Sequence, residues 1–141
     1  MTEDYLHYCW KFSKFSNLNF KTTDGQEVTI VTKGNHNHDS GPDFLEAKIK
    51  IDDTLWAGHV EIHVNSSDFD KHKHQNDKAY NNVILHVVFN HDKDILTQNG
   101  TSIPTLELKS HISQEHLSRY ENFIRHKQPI LCQNSLNEVP Q

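Results

Sequence analysis

Two mostly alternating stretches joined by a short connection constrain this chain more than any other feature. Phe44-Leu45-Glu46-Ala47-Lys48-Ile49-Lys50-Ile51 and Trp56-Ala57-Gly58-His59-Val60-Glu61-Ile62-His63-Val64 flank Asp52-Asp53-Thr54. Side chains two apart share a face of a strand, so the pattern predicts two antiparallel strands with a short connection. The β-branched run Glu27 to Thr32 predicts a strand before them. The apolar run Val83 to Phe89 predicts a strand covered on both faces after them. Ile103 to Leu108 reads as a shorter edge strand, because Pro104 has no N–H for a ladder.

From Tyr5 to Phe15 bulky apolar residues recur every three to four positions, behind Thr2, Glu3 and Asp4. That predicts a helix over about 3–15 with its aromatic stripe facing the core. Lys33 to Pro42 reads as a polar loop. Ser66-Ser67-Asp68 is an N-cap cluster, and the polar stretch after it predicts a short, largely exposed helix. Ser113 to Ile124 opens on a capping box and reads as an amphipathic helix that Pro129 ends. Helix, three strands, short helix, two strands and helix together predict a mixed α/β (α+β) domain, a central mixed sheet flanked by helices. At 141 residues the size suits one domain, placed at 1–128, with a polar C-terminal tail at 129–141.

Composition narrows the functional classes. No apolar run approaches the roughly 20 residues of a membrane span. The start Met1-Thr2-Glu3-Asp4 lacks the basic and apolar parts of a signal peptide, so a cytoplasmic protein with no membrane partner is expected. Cys9 and Cys132 form no CxxC pair, which argues against a zinc knuckle or a disulfide framework. A net charge of −5 does not support nucleic acid as a partner of this chain alone. Its 12 histidines, against 14 Lys plus Arg, supply the commonest metal ligand in quantity.

The candidate chemistry sits on the two central strands. His59, Glu61 and His63 share a face opposite Val60, Ile62 and Val64. A solvated outer face accounts for that pattern without a metal. Asp43, placed after Gly41-Pro42 at the start of the neighbouring strand, gives the alternative that Asp43 and Glu61 share a divalent cation. His36 and His38 in the loop are further candidates, although a solvated turn is the favoured reading there, and His72 and His74 beyond the second strand read equally well as an exposed helix. His86, inside an apolar run, reads as a hydrogen-bonded core histidine.

Pro42-Asp43 followed one strand later by Glu61-Ile62-His63 resembles the PD-(D/E)XK signature of the restriction-endonuclease-like superfamily. The αβββαβ core of that superfamily has the element order expected from Tyr5 to Phe89. The resemblance implies Asp43 and Glu61 as ligands of Mg²⁺ or Mn²⁺, His63 at the catalytic lysine position, and metal-assisted phosphodiester hydrolysis. It also implies an assisting acid, Glu3 or Glu27. The lysine itself is absent, and Lys48 replaces it only by reaching across from the neighbouring strand.

The chain further resembles the N-terminal part of an uncharacterised bacterial family catalogued as domain of unknown function 2851. Tyr5 to Phe12, Ser40 to Phe44, Trp56 to His63 and His72 to Val88 carry that resemblance. It implies a longer protein and no particular activity. Two readings follow: a metal-dependent nuclease-like domain, active or degenerate, and a non-catalytic binding module that contacts a C-terminal domain or a protein partner. A metal-binding cupin-like sandwich ranks behind both, because Glu46 comes too late after His36 and His38 and helices are expected at both ends.

Overall fold

The computed structural model describes residues 1–72 and 77–127. In chain order it contains α1 (Glu3–Phe12), β1 (Val28–Thr32), β2 (Asn35–His36), β3 (Phe44–Ile51) and β4 (Thr54–Asn65). Then follow α2 (Asp68–Lys71), a 3-10 turn (Lys78–Tyr80), β5 (Val83–Asn90), β6 (Thr105–Glu107) and α3 (Gln114–Lys127). The mixed α/β class expected from the sequence is what the chain adopts.

The hairpin forms as the alternation requires. β3 and β4 pair antiparallel and close at Ile51↔Thr54, with Asp52 at φ 51, a left-handed position that Asp tolerates better than most residues. The sheet order is β1-β3-β4-β5-β6, with β2 also on β3. β3 pairs antiparallel with both β1 and β4, whereas β5 joins β4, and β6 joins β5, in parallel. β4 is therefore the strand at which the sheet changes direction. Val60 and Ile62 sit opposite Leu85 and Val87, all buried on one face, while His86 and Val88 are buried on the other, as a strand covered on both faces demands. β6 is the edge strand that Pro104 foretells.

α1 starts at its expected cap, where Thr2 Oγ1 accepts the Tyr5 N–H at 3.2 Å. Its stripe of Tyr5, Leu6, Cys9 and Trp10 is buried in the core. The helix ends three residues earlier than predicted. Ser13 takes a left-handed conformation, φ 53, and the Lys14 N–H turns back to the Cys9 carbonyl at 3.0 Å.

Three further expectations need correcting. The polar loop at 33–42 contains β2, too short to show a period. Ser67 stands at the N-cap of α2 as expected, but neither serine hydroxyl makes the capping bond: both donate to Asp92, 2.9 and 2.8 Å away, and α2 is one turn long. The segment after them is less exposed than its composition implies, since Phe69 and Tyr80 are buried with Val83, Ile95 and Ile103. Residues 73–76 and the expected tail at 129–141, with Pro129, lie outside the described residues. No described helix is long and apolar enough to cross a membrane.

One glycine is fixed by close approach. A Cβ on Gly58 would lie 2.5 Å from Ile84 Cγ2 and 2.6 Å from the Asn82 carbonyl, which accepts the His59 N–H at 2.8 Å. Gly58→Ala is thus expected to cost about 1–3 kcal/mol by overpacking. A lower urea midpoint at unchanged slope checks this, and an unchanged midpoint contradicts it.

Candidate metal centre

Asp43 and Glu61 meet because the turn through Gly41, at φ 102, delivers Asp43 to the start of β3 beside the middle of β4. The two residues clamp each other reciprocally. The Asp43 N–H donates to Glu61 Oε1 at 3.1 Å, and the Ile62 N–H donates to Asp43 Oδ2 at 2.8 Å. The carboxyl groups are also hydrogen-bonded to one another.

Glu61 is only 3% exposed, and burial followed by the Asp43 charge pushes it up to about 10. Burial raises Asp43 too, but His7 and the Ile62 amide outweigh it and hold Asp43 below the usual carboxylate range. The pair therefore carries one negative charge and retains one proton at neutral pH. His7 Nε2 lies 3.6 Å from Asp43 Oδ2. Burial opposes protonation of His7, but Asp43 overcomes it and raises the imidazole above its ordinary value.

His63, 1% exposed, adjoins the pair, with Nε2 at 3.3 Å from Glu61 Oε2. Its Nδ1 is 2.8 Å from His86 Nε2, so one of these two nitrogens carries the shared hydrogen. Phe69 packs edge-on against both rings, 6.2 Å from His63 and 5.3 Å from His86. Glu3, from the first turn of α1, and His72, at the end of α2, complete the surroundings. Glu3, His63 and His72 each present a ligand atom within 4.8 Å of the other two. Burial, then the nearby Asp43, raises the Glu3 carboxyl. A solvated outer face does not describe Glu61 or His63.

The other predicted residues divide by position. His59 accepts the Glu46 N–H at 3.2 Å, where β3 and β4 slip register and Glu46 is at φ 59. His36 stacks on Phe44 at 4.7 Å, with His38 at 4.2 Å and His7 at 5.4 Å, so this loop borders the Asp43 side. Glu27 precedes β1 and bonds through its N–H to Asp52, at the far end of β3. Lys48 is exposed opposite Ala57 and is not brought to Glu61. His74 lies outside the described residues.

Two partners were not assigned a place at the site from sequence. His7 follows Glu3 by four residues, one helical turn on the same face, and that spacing was the available signal. His86 is the core histidine that its apolar run predicts, but no sequence signal links it to His63.

The titration of Glu61 has a consequence for stability. Unfolded, this carboxyl loses its proton near 4.5. Folded, it keeps the proton well beyond neutrality, so the native state binds more protons and stability falls as pH rises. Glu61→Gln removes that dependence. Its stability relative to the parent chain is expected to increase between about pH 5 and about pH 9 in urea unfolding. A pH-independent difference contradicts the assignment.

A family model described as "Protein of unknown function (DUF2851)" matches residues 3–141. No curated protein and no solved structure matches the chain.

Proposed function

The chain belongs to this DUF2851 family of proteins of unknown function, and on the geometry of its own residues we propose a metal-dependent, nuclease-like domain in which Asp43 and Glu61 hold Mg²⁺ or Mn²⁺. The observation that carries this reading is the hydrogen-bonded carboxyl pair, Glu61 buried and Asp43 partly buried. Ionising a buried carboxyl beside a second carboxylate is costly, and here Glu61 and Asp43 avoid double charge by keeping a proton between them. Asp43 and Glu61 would give up that proton to hold a divalent cation, and their oxygen donors suit Mg²⁺ or Mn²⁺. The mixed sheet, three antiparallel strands followed by a parallel one, supports the endonuclease-like comparison.

When bound, the cation supplies positive charge that polarises a phosphoryl oxygen. The chain's own residues do the remaining work. Backbone amides of Asp43 and Ile62 fix the two carboxylates, and His7 balances the Asp43 charge. With its Nδ1–H donated to His86, His63 presents Nε2 beside Glu61 as the group that orients water and takes its proton.

Mn²⁺-dependent cleavage of single- and double-stranded DNA and RNA tests the reading, with Asp43→Ala as the control expected to be inactive. A second reading, a non-catalytic module that contacts a further domain or a protein partner, is favoured by one observation: Lys48 does not reach the pair. Mn²⁺ binding without cleavage of any substrate selects that alternative.

A further inference from the structure

We propose that Glu3, His63 and His72 bind a second divalent ion, of the zinc class, distinct from the Mg²⁺ or Mn²⁺ assigned to Asp43 and Glu61. The three side chains come from α1, β4 and the end of α2, yet their ligand atoms all lie within 4.8 Å of one another. Zinc holds nitrogen and oxygen donors at about 2.1 Å, which places them about 3.4 Å apart, so closing the set takes about 1 Å of side-chain movement.

The donor chemistry differs from that of the neighbouring pair. Two imidazoles and a carboxylate suit zinc and related transition ions, whereas paired carboxylates suit Mg²⁺ and Mn²⁺. The orientation of His63 fits as well. His86 Nε2, 2.8 Å from His63 Nδ1, is an outer partner of the sort that turns a histidine toward a metal through its other nitrogen. His72 is exposed, which gives the ion a route from solvent. In this arrangement the ion adds fixed positive charge beside Glu61, and His63 serves as its ligand in place of the proton-accepting role. The site stands on this convergence of ligands and not on the nuclease reading.

The test uses the full chain stripped with a chelator and titrated with Co²⁺ or Zn²⁺ alone, reading the visible absorption of Co²⁺ and the metal content per chain. One ion is expected in the parent chain. Glu3→Gln and His72→Ala are each expected to weaken it by at least about 30-fold, and Asp43→Asn by less than about 3-fold. Glu3 and His72 are not core residues, and circular dichroism verifies that the variants fold. No uptake by the parent chain overturns the proposal, as does unchanged affinity in both Glu3→Gln and His72→Ala. Equal loss in Asp43→Asn also overturns it, because one shared ion then serves both sets. Mn²⁺ binding that depends on Asp43 is a separate result, so either site can fail without the other.

Discussion

Glu61→Ala is expected to lower Mn²⁺-dependent hydrolysis by about 10³-fold or more, the equivalent of about 4 kcal/mol of transition-state stabilisation. The variant removes one of the two oxygen ligands proposed for the cation and leaves the Asp43 N–H without its 3.1 Å acceptor. It also releases Asp43 from the shared proton. Initial rates at saturating Mn²⁺ measure the effect, and Glu61→Gln separates its components. Glutamine keeps an acceptor for the Asp43 amide but binds a cation poorly, so it should fold at least as well as the parent chain and remain inactive. Activity retained in both variants would remove Glu61 from the mechanism.

Trp10→Ala is expected to cost about 3–5 kcal/mol of stability, a large share of the roughly 5–15 kcal/mol that holds a domain together. Trp10 is 0% exposed and heads the fully buried side chains of the core by volume. Its Nε1–H donates to the Lys33 carbonyl at 3.2 Å, fastening α1 to the segment that leads into β2. Alanine leaves a cavity and removes that donor. Because α1 also carries Glu3 and His7, the loss should reach the metal centre. Urea unfolding measures it, and a cost below about 1 kcal/mol would show that the site collapses around the deletion.

Much of the fold was legible because local pattern and tertiary burial agree. β3 and β5 were readable since their patterns match the faces they bury, and β4 through its apolar face, Val60 and Ile62. The end of α1 was not, because Phe15 continues the apolar spacing while Ser13 has already left the helix. Ser66 and Ser67 have the composition of a helix cap, but their hydroxyls are taken by Asp92, distant in sequence. The same limit applies to the site. Asp43 and Glu61 could be paired because adjacent strands bring them together, whereas Glu3, His63 and His72 converge from three elements that no local period connects. Equal alternation also left the His-x-Glu-x-His face open between solvent and interior. Packing against β5, α1 and α2 decides that, burying Glu61 and His63 while Lys48 remains outside.

Asp43 and Glu61 are proposed to hold one divalent cation between them. Mn²⁺ calorimetry on the parent chain, Asp43→Ala and Glu61→Ala tests it most directly. Binding at millimolar affinity or tighter in the parent chain, with loss in both variants, is the predicted result. No binding by the parent chain, or binding that survives both substitutions, would remove the cation from this pair.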